Sequence, residues 1–201
     1  MKSFSILIVA ACATGAFAQM DPCVAEAKAK PLAARVGLGT FTNKGTNNFT
    51  RDSHFAVGLT YRPGIPCMIA PGRGTPGVDL DFIDVAGNGN RINAIGLTYG
   101  TRIMLGQSGG FYGGFGVGAF STRLRTAANN NNNNNNEGRP TRATGDGLPA
   151  GTSKTMTRMG AKLMLGMNGK SGEFFELSYF LVSKVRGGDV NRANLSVGFK
   201  F

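Results

Sequence analysis

The chain has 201 residues, with 22 Lys and Arg against 11 Asp and Glu, 31 glycines and no tryptophan. A formal charge of +11 invites nucleic acid as a partner, but the cations are scattered along the whole length, which argues against it. Past the N-terminus no segment is apolar for the roughly 20 residues a membrane helix needs, so a membrane role would have to rest on strands.

The first residues, MKSFSILIVAACATGAFAQ, set one charge, Lys2, before an apolar run from Phe4 to Ala13 and an A-F-A triplet before Gln19. These are the three parts of a secretory signal peptide, 1–18, with cleavage expected after Ala18. A competing reading takes VAAC as a lipobox cleaved before Cys12, but it leaves the A-x-A unused. Cleavage after Ala18 leaves 183 residues and lowers the formal charge from +11 to +10, since one lysine departs. Cys23 and Cys67 survive it. An exported chain with two cysteines can form one disulfide.

A lead segment, 19–32, rich in Ala and Lys, comes next. From there the pattern has period two. Strands are expected over 34–41, 54–62, 78–86, 91–105, 111–124, 156–167, 173–184 and 192–201. Each sets large apolar residues on one face, such as Phe55, Val57, Leu59 and Tyr61. The other face holds Gly, Ser, Thr and charges. Segment 78–86 loses phase at FIDV, where a bulge is expected. GGFYGGFGVG is Gly-rich but lies inside a strand pattern and precedes no helix, so it is not a phosphate loop.

Apolar residues on one face, with small and charged ones on the other, describe a barrel turned inside out, apolar toward lipid. Closure is required in hydrocarbon, and eight strands close around an interior that side chains fill. The expected fold is all-β, an eight-stranded antiparallel up-and-down transmembrane barrel over 33–201. With both termini in the periplasm, the outer connections would be 42–53, 87–90, 125–155 and 185–191, and the inner ones 63–77, 106–110 and 168–172, which should be short, a rule that 63–77 breaks. The longest contains eight consecutive asparagines, Asn129 to Asn136, and is expected to be disordered. Cys23 and Cys67 fall at the same end, and a disulfide between them is a candidate.

Strand parity turns Arg35, Arg62, Asp79, Asp81, Arg102, Arg158, Lys162, Glu176, Lys184 and Lys200 inward. Charges in such a lumen must be paired or wet. Arg62 and Asp79 flank one turn, and Arg102 and Glu176 lie near the same end. Two uses compete: a plug of ion pairs, or a narrow pore that leans toward anions. Arg123, Arg125, Lys154 and Arg158 form a basic collar at the long-loop rim, suited to lipopolysaccharide phosphates. The single histidine, His54, follows Asp52 and Ser53, but strand neighbours point to opposite sides. Ser53 and His54 are therefore badly placed as nucleophile and base, and His54 is expected as a solvated rim residue. No catalytic group, metal site or cofactor is expected.

The last strand ends NLSVGFKF, with Leu195, Val197, Phe199 and Phe201 alternating. It resembles the C-terminal signature of bacterial outer-membrane barrels. With the signal peptide and the strand count, the mature chain resembles the small eight-stranded outer-membrane proteins of the OmpA transmembrane-domain and OmpX type. The resemblance implies location in the outer membrane of a Gram-negative-type bacterium, contact with its lipid, and reading of those four residues by the barrel-assembly machinery. It implies a structural or surface-interaction role and leaves open a small-solute channel. Some such barrels modify lipid A with His and Ser near the outer face, but no His-x-Ser pair occurs here. Ligand, receptor and oligomeric state are left open.

Overall fold

The computed structural model describes residues 27–43, 46, 50, 53–65, 67–69, 72–105, 110–126, 151–183 and 190–201, with backbone alone at 67–69, 72 and 73. Nine strands appear among them: β1 (Leu32–Phe41), β2 (His54–Tyr61), β3 (Cys67–Ile69), β4 (Gly72–Gly87), β5 (Asn90–Leu105), β6 (Phe111–Arg125), β7 (Ser153–Asn168), β8 (Glu173–Val182) and β9 (Arg192–Lys200). All pairings are antiparallel. The sheet order is β2-β1-β9-β8-β7-β6-β5-β4-β3, and a β2–β4 pairing closes it. Eight strands therefore form a ring, and short β3 is an extra ribbon on the foot of β4. The result is a closed eight-stranded up-and-down transmembrane β-barrel.

Period-two sequence makes the ring because every strand has one face that water rejects. Here that face points outward. Leu38 is 64% exposed, Leu195 63% and Leu165 58%. An apolar belt of this extent on a folded chain marks contact with something other than water, and lipid supplies it. Tyr61, Phe111, Phe175, Phe199 and Phe201 all stand exposed near the short-turn end and form part of an aromatic girdle. The two ends of the barrel sequence meet there: the Leu32 N–H donates to the Phe201 carbonyl at 3.2 Å, and the Phe201 N–H donates back to the Leu32 carbonyl at 2.9 Å.

Two expectations about connections are corrected. No bulge interrupts β4: its register with β5 runs unbroken from Gly74↔Ile103 to Gly87↔Asn90. The apparent loss of phase at FIDV arises because Ile83 and Val85 keep the inward parity of Asp79 and Asp81, and all four are buried. The lumen changes from polar to apolar along its length, so the residue type changes while the face does not. Nor is 63–77 a plain loop. β4 starts at Gly72 and pairs with β3 through Cys67↔Gly74, which gives the long turn a ladder of its own. At the other end β4 and β5 are joined by Asn88 (φ 50°) and Gly89 (φ 76°), a tight hairpin turn that needs two left-handed residues.

The long-loop half of the lumen is an apolar core of Phe41, Ile83, Ile92, Phe120, Leu124 and Phe180, with smaller residues around them. Rings of this size fit a narrow barrel because glycines face them. Phe120 pairs with Gly96, Tyr112 with Gly166, and Phe174 with Gly198. A Cβ at Gly96 would lie 2.5 Å from the Phe120 ring, and one at Gly160 would lie 2.8 Å from its other edge.

Candidate functional site in the barrel lumen

Below the apolar core lies a layer of charges. Around the ring β4 and β8 are four strands apart and face each other across the lumen. Inward parity puts Asp79 and Asp81 on β4 and Glu176 on β8. Lys162 of β7 reaches all three, with its Nζ 3.3 Å from Asp81 Oδ2, 3.6 Å from Asp79 Oδ2 and 3.5 Å from Glu176 Oε1. Arg35 of β1 approaches from the other wall. Its guanidinium pairs with Asp81, donates to Thr60 Oγ1 at 2.7 Å and lies 3.7 Å from Glu176 Oε1. Thr60 in turn donates to Asp79, and Ser178 Oγ donates to Glu176 Oε1 at 2.8 Å. Gly58 sits beside Arg35, where a Cβ would press on the guanidinium.

A second layer lies toward the short-turn mouth. Arg102 donates to Glu176 Oε2 at 2.9 Å, and Tyr112 Oη donates to the same oxygen at 3.0 Å. The Arg102 guanidinium also stacks 4.1 Å from the Tyr112 ring centre. Arg62 donates to the Thr75 carbonyl at 3.0 Å and to Asp79 Oδ2 at 3.4 Å. Lys200 donates to Asn168 Oδ1 at 2.8 Å.

Strand parity placed Arg35, Arg62, Asp79, Asp81, Arg102, Lys162, Glu176 and Lys200 inward, and all eight side chains are inward and buried. Both anticipated pairs, Arg62 with Asp79 and Arg102 with Glu176, are in contact. Arg158 has inward parity yet is exposed, because β8 stops at Val182, opposite Gly160, and Arg158 stands on the part of β7 above it. Lys184 lies outside the described residues.

Sequence reasoning passed over Arg192. It is fully buried, has the parity of Asn194, and stacks 4.3 Å from the Phe180 ring centre and 5.7 Å from that of Phe120. Its Nε and one terminal nitrogen have no hydrogen-bond partner. Simple continuation of the Lys200, Gly198, Ser196, Asn194 alternation would have found it.

His54 is not the solvated rim residue expected. It is 3% exposed, its Nε2 lies 2.9 Å from Asn194 Oδ1, and its ring packs against Phe41 at 5.0 Å. Residues of the apolar core pack at this level, and the ring is buried among them. The basic collar is divided. Arg123 and Arg125 have the outward, lipid-side parity, and Arg123 Nε donates to Ser153 Oγ at 2.9 Å. Lys154 pairs with Leu124 and Arg158 with Phe120, both inward residues, so these two cations stand on the opposite face of the same sheet. Leu195, Val197, Phe199 and Phe201 all face outward. Cys23, the signal segment and the asparagine run lie outside the described residues, and Cys67 is described by its backbone alone.

The fold and lumen are those of a small closed eight-stranded β-barrel with an apolar outer face and a charged interior. No protein-family model and no curated protein matches the sequence. Among solved structures the chain is similar to the N-terminal β-barrel domain of Pseudomonas aeruginosa OprF, at 11% identity and a TM-score of 0.51, over 86% of this chain and 98% of that one. It is also similar to Ail, the attachment invasion locus protein of Yersinia pestis, at 13% identity and a TM-score of 0.47, over 85% and 97% of the two chains. At 11% identity the likeness to the OprF domain is one of fold.

Proposed function

We propose that this protein is an outer-membrane barrel with a closed lumen, serving as a structural element or a platform for surface contacts rather than as an enzyme. The observation that carries the reading is the set of ion pairs joining opposite walls, in which Arg35 and Lys162 each engage Asp81 of β4 and Glu176 of β8. Groups held this way leave no ions or water a clear path, and the aromatic core above adds a second closure. The surplus of cations over carboxylates favours anions if the lumen does conduct, which keeps a narrow anion-leaning channel as the second reading.

In this reading the signal peptide is removed after Ala18, the short turns face the periplasm, and the Asn-rich connection faces the medium. The barrel-assembly machinery reads the last strand through Leu195, Val197, Phe199 and Phe201. Lipopolysaccharide phosphates meet Arg123 and Arg125, whose outward parity favours contact with headgroups, while Lys154 and Arg158 face the space above the mouth. Cys23 and Cys67 form a disulfide on the periplasmic side, which non-reducing mass spectrometry after thiol alkylation tests.

Membrane fractionation with a gel of unboiled and boiled samples tests location and fold together. The protein should appear in the outer-membrane fraction, with different migration before and after boiling. Recovery as a soluble periplasmic protein would overturn the reading.

A further inference from the structure

The short-turn mouth holds a small, partly open cleft between residues 27–31 and the barrel wall. Its cationic lining is Lys30, Arg62, Arg102 and Lys200, with Thr75 and Asn168 between them, and no carboxylate lines it among the described residues. The carboxylates that serve this end stand deeper, Asp79 3.4 Å from Arg62 and Glu176 2.9 Å from Arg102. Both are shared with Lys162. Across the described lumen six buried cations, Arg192 included, face three carboxylates.

The donors are not all used. Nε of Arg62 and Nε of Arg102 are buried without a hydrogen-bond partner, although both side chains are more than nine-tenths buried. An unmet charged donor away from water is costly. Residues 27–31 are fixed over the cleft as a wall. The Arg62 N–H donates to the Pro31 carbonyl at 2.8 Å, Lys30 Nζ donates to the Ser171 carbonyl at 2.7 Å, and Ala27 is buried.

We infer that this cleft is a binding site for a small oxyanion of the phosphate class. Guanidinium groups match the oxygens of a tetrahedral or planar oxyanion with paired N–H donors, and the two lysines add point charge. The ligand enters from the short-turn end, so the site is separate from any contact at the long-loop rim.

The test uses the mature chain folded in detergent micelles, titrated calorimetrically with inorganic phosphate at constant ionic strength in chloride. Saturable binding at one site is expected. Arg62→Gln should weaken it at least about tenfold, the loss of one charge-assisted contact, and Lys154→Gln at the far end should leave it unchanged. If Arg62→Gln fails to show heat-modifiable migration, Lys30→Gln replaces it, because Lys30 lies outside the barrel strands. Absence of saturable binding by the folded parent would overturn the inference. So would binding that survives both Arg62→Gln and Lys30→Gln.

Discussion

Asp81 and Glu176 stand on strands that face each other across the barrel, and the ammonium of Lys162 lies within 3.5 Å of both. A single side chain thus ties opposite walls together in an interior where Lys162 is wholly buried. Arg35 makes the same span from β1.

Lys162→Met keeps the length of the side chain and removes its charge. Three buried carboxylates then share fewer cations. Breaking a buried ion pair from one side typically costs about 3–5 kcal/mol, and a loss near the lower figure is expected because Arg35 remains. Urea unfolding in lipid vesicles measures it. A change within a few tenths of a kcal/mol would mean that water already screens the network.

The next residue has the opposite role. Leu163 is 49% exposed on the outer belt and pairs across strands with Phe115 and Tyr179. Leu163→Arg is expected to cost about 2–4 kcal/mol in a bilayer, the range for a cation at a lipid-facing site near mid-depth. Folding into bilayers as stable as the parent's would reverse the two faces of β7.

Much of this was legible in advance, and the reason is the strand period. Once Leu163 and Leu177 face lipid, Lys162 and Glu176 must face in, and no tertiary knowledge is needed. What parity alone did not give was which large residues the lumen admits. Phe120, Phe174 and Phe180 look like belt residues by chemistry, and they fit inside only because register brings glycines to Phe120 and Phe174. Register is a property of two strands and is not written in one. The same gap explains FIDV, where Ile83 and Val85 looked out of phase until the long-loop half of the lumen proved apolar. The basic collar is divided for a simpler reason: Arg123 and Lys154 are near in the ladder but sit at opposite parities.

The glycine pairing itself can be tested by a double-mutant cycle. Phe120→Ala empties a fully buried ring site and is expected to cost about 3–5 kcal/mol. Gly96→Ala destabilises the parent, because its Cβ would meet the ring at 2.5 Å. In the Phe120→Ala background that penalty should vanish, giving a coupling energy of about 1 kcal/mol or more. Additive effects would show that Gly96 is there for the backbone and not for the ring.

Deletion of Phe201 probes assembly. Phe201 is 57% exposed and its backbone closes onto Leu32, so its side chain adds little to the finished interior. The expected outcome in cells is less folded protein in the outer membrane and more unfolded chain in the periplasm. Purified truncated protein should still refold, losing only about 1–3 kcal/mol for the two backbone hydrogen bonds to Leu32. Normal assembly in cells would remove the last strand's terminal aromatic from the account.

The closed lumen is the central claim, and single-channel recording in planar bilayers tests it most directly. The parent protein, shown to be folded by its heat-modifiable migration, should insert without producing regular conductance steps if the ion pairs and the aromatic core block the path as proposed. Reproducible steps from the parent at neutral pH, stronger for anions than for cations, would contradict the plug and favour the narrow channel.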